Sequence, residues 1–271
     1  MNEPAHSNRA LVLAATVCVT IMIAQHIAGK AARDALFLTY FAVERLPLMM
    51  IVAAVVSVAG VVLMSWLLNR FGPARLVPPT FGLSALLLLV LWQIIDAQPQ
   101  VAAAALYLQV SAINGLLISG FWSVINERFD PYSAKPVIAR LAAAATFGGL
   151  AGGVAAKVVS GAADTHALLL MLAGMHIVCA LAVAYIGAGK GRGPAAQASS
   201  TKTGNLLSPL RSSSLIRLMA LLALLVAVTA AILDYLLKAE AAASLSEEQL
   251  IAFFSYFYVA VGIGSFLLQA H

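Results

Sequence analysis

Lys30, Arg33 and Asp34 crowd together in an otherwise apolar stretch, Gly29-Lys30-Ala31-Ala32-Arg33-Asp34-Ala35-Leu36-Phe37-Leu38-Thr39. Residues four apart stack on one helical face, so Lys30 and Asp34 meet there, and Arg33 lies beside Lys30 if the helix continues. Lysine and arginine hold anions through charge-assisted hydrogen bonds, so this group can bind an anionic head group. The structural alternative is a solvated helix end with one intrahelical ion pair. A second carboxylate, Asp234, has an apolar run before it and Tyr235-Leu236-Leu237 after it. A charge in such a run needs a partner, and Lys238, four residues on, is the nearest.

Polar residues recur inside other apolar runs. Gln25 and His26 precede the charged group, and His26 alone reads as a packed histidine. Tyr107, Ser111, Asn114 and Trp122 follow helical spacing with Ile118 between, which puts them on one stripe. That stripe faces either a watery cavity or another helix to which it hydrogen-bonds. Further on, Phe121-Trp122-Ser123-Val124-Ile125-Asn126-Glu127-Arg128-Phe129-Asp130, then Ala134-Lys135, marks a helix leaving the membrane. Asn126 and Arg128 there serve either as topology determinants or in gating and substrate binding. Gly148-Gly149-Leu150-Ala151-Gly152-Gly153 holds two overlapping small-xxx-small pairs, a packing feature that lets another helix approach closely. Lys157 reads as a snorkelling lysine.

Several chemistries find no support. There are no paired carboxylates, metal clusters or nucleophile–base patterns within the apolar runs, so neither an enzyme nor a bound cofactor or metal is expected. Cys18 and Cys179 lie inside apolar runs without ligand spacing and read as small hydrophobes. Gly187-Ala188-Gly189-Lys190-Gly191 lacks the gap and the hydroxyl residue of a phosphate loop.

What positions these residues is a set of membrane helices. Of the chain, 62% is hydrophobic and only 10% charged, with a mean hydropathy of +0.95. Soluble domains carry about 25% charged residues. Lipid must therefore cover part of this surface. Eight apolar helices are expected, over residues 10–30, 46–68, 80–95, 102–126, 136–161, 166–186, 215–237 and 248–271. Each approaches the roughly 20 residues that a span requires. A charged amphipathic stretch over 31–45 follows the first. The net charge of +5 comes from short loops, so it fits the positive-inside bias and not nucleic-acid binding. With the N-terminus cytoplasmic, eleven basic residues from Arg9 to Arg217 fall inside. Lys30, Arg33, Arg45 and Lys238 fall outside, and Lys157 lies within a span.

The chain divides at a Gly-, Ser- and Lys/Arg-rich segment. An N-terminal six-helix bundle over 1–188 is expected, then a basic cytoplasmic linker over 189–214, then the start of a second bundle over 215–271. Six helices, a linker and further helices is the two-half plan of the major facilitator fold, built from 3+3 repeats. Asn69-Arg70-Phe71-Gly72-Pro73-Ala74-Arg75 resembles that superfamily's cytoplasmic loop signature, which implies a gating role for Asn69, Arg70, Gly72 and Arg75. The acidic position of the signature is Asn69 here. Eight helices are fewer than the family's twelve, and the last apolar run extends to His271, so an incomplete copy of a longer protein is expected.

The block from Lys30 to Leu48, with Lys-x-x-Arg-Asp-Ala-Leu-Phe-Leu and then Glu44-Arg45-Leu46-Pro47, resembles the first-helix region of the nucleotide transporter family. These are the ATP:ADP translocases and their bacterial relatives. Phe121-Trp122, Asn126 and Ala134-Lys135 are similar to that family too, as are Asp234-Tyr235, Lys238, Glu247-Glu248 and Phe253-Phe254. The family often has lysine directly before the aspartate, where this chain has Arg33. The resemblance implies a twelve-helix fold, alternating access and a cavity in which basic residues hold phosphates. It implies Lys30, Arg33 and Asp34 as substrate-binding residues, with Asn126 and Arg128 next. Gln25, Ser111, Asn114, Trp122 and Asp234 complete the candidate site. The expected partners are the lipid bilayer, a small anion such as ATP or ADP, and missing C-terminal helices or a regulatory domain. The expected location is the inner membrane. The competing expectation is a non-transporting membrane anchor or sensor that keeps the transporter fold.

Overall fold

The computed structural model describes residues 3–129, 135–162, 165–188 and 213–269. These residues form helices and no strand. In chain order the helices are α1 (Glu3–Tyr40), α2 (Leu46–Phe71), α3 (Pro73–Ile94), α4 (Pro99–Leu108), α5 (Asn114–Arg128), α6 (Lys135–Ala162), α7 (Thr165–Ala188), α8 (Ser214–Ser244) and α9 (Glu247–Gln269). A π-helical segment, Gln109–Ile113, joins α4 to α5, so one span runs from Pro99 to Arg128. Seven helical spans are long and apolar enough to cross a membrane, and the apolar part of α9, Gln249–Gly264, is shorter. The described residues are those of an α-helical, multi-pass membrane protein. Of the linker expected over 189–214, only Ser213 and Ser214 are among the described residues.

Three expected boundaries move, one of them the end of the helix expected over 215–237, which runs on through Lys238 to Ser244. The first helix does not stop at Lys30 before an amphipathic stretch; α1 continues to Tyr40. Ala31, Ala32 and Ala35 favour helix and bury without a cavity, so the charged residues lie inside a continuous helix. The loop expected over 69–75 shrinks to one residue. Gly72 lies at φ 77° and ψ 152°, a conformation that glycine alone adopts readily, and Pro73 opens α3 at its first turn. The third helix thus begins at Pro73 and runs through Pro78 and Pro79.

α1 is the axis of the packing. It lies against α6, α7, α9 and α4, while α3 lies along α7. The glycine pairs of α6 make the closest approach possible. A Cβ at Gly148 would stand 2.3 Å from the Thr20 carbonyl oxygen, and one at Gly152 would stand 2.1 Å from that of Ala24. On the neighbouring stripe, a Cβ at Gly153 would meet Val259 of α9 at 2.2 Å. With lipid as apolar as leucine, such backbone proximity and dispersion hold helices together, not hydrophobic burial. α6 is therefore wedged between α1 and α9. α8 differs: residues 214–230 are all exposed, and only Lys238 and Ala241 are buried.

Candidate functional site

Asp34 lies at the centre of a buried ionic cluster built by three helices, α1, α8 and α9. Its carboxylate accepts from Arg33 Nε and Nη2, both at 2.7 Å from Oδ1. Lys238 of α8 approaches the same oxygen at 3.1 Å. The Tyr258 hydroxyl of α9 donates to Oδ2 at 2.5 Å. Lys238 also donates to Asp234 Oδ2 at 2.5 Å, the pairing expected from their spacing. The Asp34 side chain is fully buried and that of Lys238 is 1% exposed, whereas that of Asp234 is 35% exposed. A charge removed from water survives only when it is paired and its remaining valences are hydrogen-bonded, and Asp34 meets both conditions.

Lys30 is different. The expected face-sharing with Asp34 yields no ion pair, because Asp34 turns to Arg33 and to α8. Lys30 Nζ instead sits 4.6 Å from the centroid of the Tyr258 ring, a cation–π contact. Among the described residues no carboxylate pairs with it. The cluster thus holds three cations, Lys30, Arg33 and Lys238, against two carboxylates, Asp34 and Asp234.

The wall opposite comes from the interrupted span. Arg33 Nη1 donates to Ser111 Oγ at 2.9 Å, and its guanidinium lies 4.9 Å from the Tyr107 ring centroid. Tyr107 packs in turn on Phe37. One turn along, Asn114 Nδ2 reaches Gln25 Oε1 at 3.4 Å. Between these contacts Gly29 faces Val110 of the π-helical segment, where an added Cβ would stand 3.3 Å away. The polar stripe Tyr107–Ser111–Asn114 therefore faces α1. Gln25 Nε2, His26 Nδ1 and Asn114 Oδ1 are buried without a hydrogen-bond partner, which makes this turn of the interface costly for a purely structural contact. Ser111 also borders a cavity of about 200 Å³ between α2 and the interrupted span, with Ser57, Met64, Ser65, Gly115 and Ser119.

The structure gathers Lys30, Arg33, Asp34, Ser111 and Asp234, with Gln25 and Asn114 one turn away. It does not bring Trp122, Asn126 or Arg128 to them. Trp122 packs edge-on against Phe121, and Asn126 is exposed. Arg128 Nε donates to the Ile186 carbonyl at 2.5 Å, satisfying an open carbonyl at the end of α7. Of the loop residues, Arg70 lies over the rings of Trp66 and Phe71 on its own helix, and Asn69 and Arg75 are exposed. Asp130 and Ala134 lie outside the described residues, as do the side chains of Lys135, Glu247 and Glu248. Sequence reasoning missed Tyr258 as a ligand of Asp34 and Lys238 as a bridge between two carboxylates. The available signal was a lysine and a tyrosine inside apolar runs. Among the described residues no group of His, Cys, Asp or Glu can hold a metal ion. No known family model, characterised protein or solved structure matches the chain.

Proposed function

We propose that this protein is a membrane transporter that carries an anionic solute by alternating access, in the manner of the major facilitator plan. The observation that carries this reading is Lys30: a half-buried ammonium with a ring beneath it and, among the described residues, no ion-paired carboxylate, next to a cluster whose other charges pair with one another. Intramembrane charges are expensive and face bundle interiors or watery paths. A surplus cation held there is a natural counter-charge for an anion. The cluster also links α1 to α8 and α9, on either side of the linker, so it lies where two rocking bundles would meet. With Lys30, Arg33 and Lys238 drawn into the helices, the basic bias toward a cytoplasmic N-terminus in an inner membrane leaves only Arg45 on the far side. Nucleotides are the class of anion that the resemblance of the first helix implies.

One observation favours the anchor or sensor reading: Asp34 has a complete set of partners without any ligand. Thermal unfolding of the detergent-purified chain with a panel of nucleotides, carboxylates and phosphate separates the two. A ligand at a hundred times its Kd stabilises by about 2.7 kcal/mol. The transporter reading expects such a shift for an anion class and its loss in Lys30→Gln. No shift for any anion would move the assignment to the anchor or sensor.

A further inference from the structure

We infer that the site takes a ligand with a single negative charge, of the monocarboxylate class, in preference to a polyanion or a zwitterion. The inference rests on the anion-carrier reading and sharpens it. Its basis is the charge count and the accessibility of each charge. Among the described residues three cations face two carboxylates, so one positive charge of the cluster has no ion-pair partner. In a medium of low dielectric, a ligand binds best when it closes that balance. One negative charge closes it. A zwitterion leaves the sum unchanged, and a polyanion overshoots it.

The geometry points the same way. Arg33 and Lys238 are buried and already engaged, the first by Asp34 and Ser111, the second by Asp34 and Asp234. Lys30 is the remaining cation. The accessible carboxylate of the cluster is Asp234, whose side chain is 35% exposed. Further negative charges on a ligand would therefore find Asp234 and not another open cation. Beneath Lys30 lies the Tyr258 ring, which itself packs against Phe257. An apolar body attached to one carboxylate suits such a wall.

The test uses the full chain in detergent at matched ionic strength, with benzoate, succinate, glycine and ATP as probes and Kd read from thermal-shift titration. Benzoate is expected to bind at least about tenfold more tightly than the other three. Lys30→Gln should weaken benzoate by at least about tenfold and Lys30→Arg should largely retain it. Asp234→Asn should narrow the gap between succinate and benzoate, a response that a merely structural Asp234 would not give. Tightest binding by ATP, succinate or glycine overturns the inference and leaves the carrier reading standing in the first two cases. Undiminished benzoate affinity in a folded Lys30→Gln protein also overturns it. No binding by any probe overturns both the inference and the carrier reading.

Discussion

Replacing Asp34 with asparagine keeps the shape of the side chain and removes its charge. Arg33 then keeps Ser111 and the Tyr107 ring, and Lys238 keeps Asp234. Both lose the buried carboxylate they share, and the surplus of positive charge in the cluster rises from one to two. Breaking a buried pair costs about 3–5 kcal/mol, and the remaining partners place this variant at about the lower end. Lys238→Met acts differently. Asp34 keeps Arg33 and Tyr258, while Asp234, a third exposed, loses an ion pair that solvent already weakens. Its cost should be about 1–2 kcal/mol, and the surplus falls to zero. The double variant returns the surplus to one. Its cost should fall below the sum of the single variants by about 1–3 kcal/mol, because residues in one ionic network couple. The assay is equilibrium unfolding of all four proteins in mixed micelles. Additivity within about 0.5 kcal/mol, or an Asp34→Asn protein as stable as the parent, would refute the network as the joint between α1 and the last two helices.

Gly152→Val should prevent the contact of α6 with α1, since even a Cβ there would stand 2.1 Å from the Ala24 carbonyl oxygen. We expect a loss of at least about 1–3 kcal/mol, read as a lower unfolding midpoint, whereas the same change at Gly174, where a Cβ meets nothing within 4 Å, should be nearly silent. Arg128→Gln removes the donor to the Ile186 carbonyl and should cost about 1–2 kcal/mol of stability while leaving anion affinity unchanged. A selective loss of anion affinity would instead return Arg128 to the binding site.

Helix positions were legible because roughly twenty apolar residues in a row have few alternatives. The local chemistry was legible for the same reason: Lys30, Arg33, Asp34 and Asp234 stand out against alanine and leucine, and the Asp234–Lys238 pair follows from spacing four on one helix. What spacing did not disclose is pairing across the chain. Asp34 and Tyr258 are 224 residues apart, and nothing local ties them. The Lys30–Asp34 spacing even suggested a pair that does not form, because Arg33 and Lys238 reach the carboxylate with better geometry. A charged stretch after Lys30 reads in sequence as the end of the first apolar helix. Here Arg33 and Asp34 pair inside the bundle, Lys30 lies over the Tyr258 ring, and the helix continues to Tyr40. The π-helical segment left no mark on the stripe, since Tyr107, Ser111 and Asn114 keep ordinary helical spacing. Arg128 illustrates the opposite limit: its sequence context resembles a substrate contact, but its nearest use is an open carbonyl at the end of α7.

The most direct test of an anion carrier built around Lys30 is uptake of labelled anions into liposomes holding the purified protein. Saturable uptake of at least one anion is expected, strongly reduced by Lys30→Gln in a protein that still folds and inserts. Uptake unchanged by Lys30→Gln, or no uptake of any anion, would contradict it.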